Sequence, residues 1–147
     1  MEKVLEERKA YFAEQQYLAG DVISDFSASQ ILKHPTYLTI QLDTDKHILL
    51  NPDKLQNINH SCDPNVFFDT DTMQLKALRD IHKDEELTFF YPSSEWDMAQ
   101  PFTCNCRTER CLHEIRGAKY INRDILSGYR VTSFVERQLA STENTLR

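Results

Sequence analysis

The chain has 147 residues, 40% of them apolar and 27% charged, and a formal net charge of −6. That length holds one compact domain with a real core and is too short for two, and the composition is ordinary for a globular protein. No apolar run reaches the length of a membrane span, and Met1-Glu2-Lys3-Val4-Leu5-Glu6-Glu7 lacks the pattern of a secretory signal, so an intracellular protein, nuclear or cytoplasmic, is expected.

Charge is uneven along the chain. Residues 1–62 carry 9 acidic and 6 basic side chains, residues 63–97 carry 9 and 3, and residues 98–147 carry 5 and 8. An acidic centre repels phosphate backbones and attracts lysine-rich peptides, which argues for a basic protein partner and against direct nucleic-acid binding. The alternative reading is a solvated acidic surface.

Taken in order, Glu2 to Phe12 reads as the start of a short helix without a strong cap. Ala19-Gly20-Asp21 is a turn into a short strand, Val22-Ile23-Ser24. In Tyr37–Leu42 the residues Leu38, Ile40 and Leu42 alternate with polar or amphipathic ones, Asp43–Lys46 turns the chain, and His47–Leu50 returns, which predicts a hairpin. A second hairpin is predicted from Asn65–Asp69 and Met73–Arg79. Glu86–Tyr91 reads as a strand stopped by Pro92, with Leu87, Phe89 and Tyr91 on one face. Helical periodicity is clear only around Thr132–Leu139. Many short strands with chemistry on loops predict a mostly β, β-rich α+β fold.

Two blocks and a cysteine cluster carry the chemistry. Asn59-His60-Ser61-Cys62-Asp63-Pro64-Asn65 is followed by Glu86-Leu87-Thr88-Phe89-Phe90-Tyr91, and then by Cys104, Cys106 and Cys111 at Cys-x-Cys-x4-Cys spacing. The chain has four cysteines and tetrahedral zinc takes four ligands; three are clustered, which leaves one position open. His113 is an alternative fourth ligand, though it would leave Cys62 idle, and four independent cysteines are the plain alternative. His60-Ser61-Cys62 also invites a nucleophilic reading, but neighbours in a loop rarely point at each other, and triads are assembled from distant segments.

In order and spacing these blocks resemble the SET-domain protein lysine methyltransferases, from about Lys9 to about Ala118. The resemblance implies a fold of small curled sheets with knot-like C-terminal threading. It divides the chain into a compact SET domain at 1–97, a zinc-bound post-SET-like segment at 98–118 and a helical extension at 119–147. It also implies transfer of methyl groups from S-adenosylmethionine to a protein lysine, in a histone-like or other basic peptide. In that reading Asn59 and His60 hold the cofactor, and Phe89 and Tyr91 line the lysine channel. The Tyr91 hydroxyl orients the amine, and Cys62 joins Cys104, Cys106 and Cys111 on zinc. A catalytically silent module that binds a partner or a methylated lysine is the alternative. The family's Gly-x-Gly-x-Phe-Ala stands here as Arg8-Lys9-Ala10-Tyr11-Phe12-Ala13, where a β-carbon is expected to crowd the cofactor. Its Tyr-x-Gly stands as Phe26-Ser27-Ala28, and its arginine three positions before the motif asparagine stands as Gln56. Phenylalanine at position 89, where a tyrosine would hold a blocking water, implies di- or trimethylation.

Overall fold

The structure, a computed structural model, describes residues 2–5 and 8–145. Among the described residues at the N-terminus the expected helix is absent. Strand β1 (Glu2–Leu5) instead pairs antiparallel with β2 (Arg8–Tyr11), Glu2 lying opposite Tyr11. The cause is tertiary. The Leu87 N–H donates to the Tyr11 carbonyl at 2.8 Å, the Ala13 N–H donates to the Glu85 carbonyl at 2.8 Å, and Phe12 bridges Glu86. Those partners hold the backbone extended, whereas a short uncapped helix is marginal by itself.

Strand β3 (Val22–Asp25) follows a turn in which Gly20 has φ +89°. Strand β4 (Ser27–Leu32) then runs along the edge of a three-stranded sheet. The hairpin predicted next forms as β5 (Ile40–Asp43) and β6 (Lys46–Asn51), giving the order β4-β6-β5. It begins at Ile40 rather than Tyr37. Strand β4 left no signal because five of its six residues are exposed and so carry no alternation.

Asn59–His60 forms β7. The second predicted hairpin appears as β8 (Val66–Asp69) and β9 (Gln74–Ala77), and β3 joins it in the order β3-β9-β8. Its turn is tied by Asp69 Oδ1, which accepts the N–H groups of Asp71 at 3.0 Å and Thr72 at 3.3 Å. The strand expected over Glu86–Tyr91 shrinks to β10 (Thr88–Phe89), and Tyr91–Ser93 is a 3-10 turn opened by Pro92. Strands β11 (Phe102–Thr103) and β12 (Glu114–Ile115) bracket the cysteine loop. Helix α1 (Arg123–Leu126) is capped by the Asn122 side chain, which accepts from the Asp124 and Ile125 N–H groups. Helix α2 (Ser133–Thr145) lies where the periodicity predicts it. Among the described residues no helix is long and apolar enough to cross a membrane.

Two apolar clusters fill the interior. The first gathers Tyr11, Phe26, Ile48, Leu50, Phe68 and their neighbours, and the second gathers Cys62, Cys104, Ile115, Leu126, Phe134 and Val135. The predicted alternation decides which side of the 87–91 segment meets which cluster. Leu87 and Phe89 belong to the first, Tyr91 packs against it, and Phe90 belongs to the second.

Candidate active site and cysteine cluster

The site is built where β7 and β10 lie side by side. They pair in parallel, Asn59 beside Thr88 and His60 beside Phe89, and the Ser61 N–H donates to the Phe89 carbonyl at 3.0 Å. About thirty residues separate these segments, so local sequence says nothing of the pairing. The side chain of Asn65 secures it. Only 1% exposed, Asn65 donates from Nδ2 to the Glu86 carbonyl at 2.9 Å and to Glu85 Oε2 at 3.0 Å, and its Oδ1 accepts the Thr88 N–H at 2.8 Å. Sequence reasoning gave Asn65 no role. Its place at the end of the first block was the only signal.

His60 links three parts of the site. Its Nδ1 accepts the Tyr91 backbone N–H at 3.1 Å, which puts the ring proton on Nε2, and Nε2 lies 3.4 Å from the Cys62 sulfur. The ring meets those of Phe90, Tyr91 and Phe102 with centroids 5.1 to 5.6 Å apart. Burial pushes its pKa down to about 4, so the imidazole is neutral. Asn59 Nδ2 donates to Glu86 Oε2 at 3.4 Å.

Phe89 and Tyr91, expected in one channel, are together. Their ring centroids are 4.6 Å apart, with Phe68 edge-on to Phe89 at 4.8 Å and Phe102 near Tyr91 at 5.9 Å. Phe26, in the place of the family tyrosine, is buried and edge-on to Phe68 at 5.4 Å. It thereby extends the same aromatic wall. Ala10 stands at the second glycine position of the family motif and is 0% exposed, so its methyl packs inside the protein. Gln56, in place of the arginine, accepts the Leu50 N–H at 3.1 Å and so holds β6.

All four cysteines converge. The sulfurs of Cys62, Cys104, Cys106 and Cys111 lie within 4.8 Å of one another, with Cys62 and Cys104 at 3.9 Å. A zinc ion with sulfur ligands at about 2.3 Å sets sulfurs about 3.8 Å apart along a tetrahedron's edges, so the set fits such an ion. His113 stays outside the group, 4.0 Å from the Cys111 sulfur and exposed. The Leu112 N–H points at the Cys62 sulfur at 3.3 Å, as a donor to a ligating sulfur does. Burial pushes the Cys62 thiol up to about 11 and raises Cys104 as well. Burial also acts against Cys106, but hydrogen bonds from Thr108 and nearby backbone outweigh it and bring that thiol down to about 6. A divalent cation would supply the positive charge that four clustered sulfurs, two of them buried, need to ionise together.

The comparisons bear on this geometry. The SET-domain family profile matches residues 3–92, which include both motif blocks and end before the three clustered cysteines. Methyltransferase flvH of Aspergillus flavus is 37% identical over 130 residues, covering 87% of this chain and 72% of that protein. A SET and MYND domain-containing protein of Dictyostelium discoideum is 32% identical over 68 residues, 40% of this chain and 20% of its own length. In fold the chain is similar to KRYPTONITE, solved with mCHG DNA and SAH, with a TM-score of 0.57 at 19% identity over 72% of this chain and 26% of that one. A second KRYPTONITE structure, with mCHH DNA, an H3(1-15) peptide and SAH, gives a TM-score of 0.55 at 19% identity over 74% of this chain and 27% of that one. The paired motif strands, the profile match across more than half of the sequence and a relative sharing most of its length agree: the chain belongs to the SET-domain family of methyltransferases.

Proposed function

We propose that this protein transfers methyl groups from S-adenosylmethionine to a lysine side chain of a protein substrate. The observation that carries the reading is the bond from the Tyr91 N–H to His60 Nδ1 at 3.1 Å. It locks the proposed cofactor strand to the residue proposed to face the amine. Bound S-adenosylmethionine supplies an electrophilic methyl group on a sulfonium. KRYPTONITE, similar in fold, has been solved with SAH and with an H3 peptide, which supports a cofactor and a substrate of this kind.

The chain's own residues have three tasks. A free lysine has a pKa of about 10.4, so a neutral amine at pH 7 costs about 4–5 kcal/mol. The wall of Phe89 and Tyr91 meets that cost by desolvating the ammonium, and its π faces suit methylated products. The Tyr91 hydroxyl orients the amine, and Asn59 and the backbone of His60 hold the cofactor, which supplies alignment. The cysteines have a third role: zinc on Cys62, Cys104, Cys106 and Cys111 would pin the post-SET-like segment, residues 98–118, to the end of the cofactor strand.

The test is transfer of a labelled methyl group to purified histones and to cell lysate, with Tyr91→Phe beside the wild type. That change keeps the aromatic wall and removes the hydroxyl. Turnover is expected to fall by about a hundredfold or more while cofactor affinity, measured by calorimetry, changes little. Wild-type turnover in Tyr91→Phe would remove the assigned role, and absence of cofactor binding in the wild type would remove the reading.

A further inference from the structure

A cleft of about 270 Å³ opens on the Phe90 side of the 87–91 segment, the side opposite Phe89 and Tyr91. Phe67, Phe90 and Tyr129 form its walls. Around them stand Arg79, Arg110 and Arg130, against one lining carboxylate, Asp63. For a chain of net charge −6 this is a local inversion. The fold makes it by laying the basic C-terminal third over the acidic centre: Arg79 follows β9, Arg110 sits in the cysteine loop and Arg130 precedes α2.

The arginines are held in place before any ligand arrives. Arg110 lies 4.2 Å over the Tyr129 ring, and that ring stacks on Phe90 at 3.8 Å and 9°. Arg130 lies 4.5 Å over the Phe67 ring. Cation–π attraction of a guanidinium to an aromatic ring restrains it, and its N–H donors stay available to other partners. Arg79 is tethered by a bond to the Pro64 carbonyl at 3.0 Å, and Arg110 by one to the Gly128 carbonyl at 3.1 Å.

Negative charge is in short supply here. Arg79 and Arg110 both reach a single oxygen, Asp63 Oδ1, each at 3.4 Å, which is long for a charged hydrogen bond. Arg130 reaches Asp69 Oδ2 at 3.3 Å, an oxygen already held by Lys76 at 2.9 Å. Glu85 stands 4.0 Å from Arg79. Each guanidinium carries five N–H donors, so oxyanion-binding capacity remains on all three. We propose that this cleft binds a phosphoryl group, which brings two negative charges and three acceptor oxygens to where two cations share one carboxylate oxygen. Free phosphate and a phosphorylated side chain share that chemistry. The site does not depend on the methyl-transfer reading.

The experiment is a titration of the whole protein with inorganic phosphate at constant ionic strength, followed by NMR of the arginine side chains and neighbouring amides. Saturable shifts are expected at Arg79, Arg110 and Arg130, and affinity is expected to fall about tenfold in Arg130→Gln, which is remote in sequence from the cysteines. Asp63→Asn removes the competing carboxylate and is expected to bind several-fold more tightly. A phosphoserine peptide and its unphosphorylated form make the second arm. Tighter binding of the phosphopeptide than of phosphate assigns the group to a protein side chain, and equal binding assigns it to free phosphate. Melting temperatures identify variants that are folded, and Arg79→Gln carries the same expectation if Arg130→Gln is not. No saturable shift with either probe, unchanged affinity in a folded arginine variant, or weaker binding in a folded Asp63→Asn overturns the proposal.

Discussion

Phe89 is 7% exposed and wedged between the rings of Phe68 and Tyr91. In the proposed reaction it sets how much room a methylated amine has to turn. The wild type is expected to yield di- or trimethyl-lysine, and Phe89→Tyr is expected to shift products toward monomethyl, because one hydroxyl fills volume and can anchor a water. Mass spectrometry of the product lysine at long times with excess cofactor decides it. Glu95 is a residue that no motif suggested. It is 8% exposed, accepts the Gln41 N–H at 3.0 Å and the Ser94 hydroxyl, while the Gln41 side chain accepts the Trp96 N–H at 3.1 Å. Burial outweighs these bonds and pushes its pKa from 4.5 up to about 7. The folded protein thus holds this proton more tightly than the unfolded chain. The associated stability is intact below about pH 4.5 and is lost as pH rises toward about 7, by an amount on the order of 2–3 kcal/mol. Glu95→Gln keeps an acceptor for Gln41 and cannot titrate. Its unfolding free energy, compared with wild type at pH 5 and pH 8, is expected to lack that decline.

At the scale of elements, the segment after Tyr91 is clamped from both sides. Glu95 joins it to β5, and from the other side the Ala118 N–H donates to the Glu95 carbonyl at 2.9 Å and the Lys119 N–H to the Trp96 carbonyl at 3.0 Å. Gly117 makes this approach possible. A β-carbon there would sit 2.4 Å from the Trp96 carbonyl oxygen, and its φ of +122° is a conformation that other residues rarely adopt. Gly117→Ala is expected to cost about 2–4 kcal/mol in urea unfolding. Gly20→Ala, at φ +89° with nothing within 4 Å of the new carbon, is expected to cost only about 1 kcal/mol. Equal losses would show that close approach to Trp96 is not what the first position requires. The two hairpins and α2 were legible because each pairs or packs through a regular local pattern, period 2 or period 3.6. The N-terminal hairpin and β4 were not, since the first is held extended by residues 85–87 and the second is an edge with neither face buried.

Across the whole molecule, the cysteines join the proposed cofactor strand to the C-terminal third. Tyr129 adds to that joint by donating its hydroxyl to the Cys62 carbonyl at 2.6 Å. Elemental analysis of carefully purified protein is expected to give close to one zinc per chain, and a value under about half would count heavily against the site. Chelation or Cys62→Ser is expected to lower the melting temperature and weaken cofactor binding together, because the second core is built on the cysteine cluster. Cofactor affinity that survives metal loss would uncouple the two.

The sequence by itself determined the resemblance to the family, the residues proposed for the site and the expectation that Cys62 joins the three clustered cysteines, because these rest on residue identity and order along the chain. Tertiary structure alone decided how they meet. The parallel pairing of Asn59-His60 with Thr88-Phe89, the bolt at Asn65, the buried carboxyl of Glu95 and the arginines around Phe90 all join segments distant in sequence. Such contacts arise from backbone hydrogen bonds and charge pairs between remote residues, which leave no periodic trace in either partner.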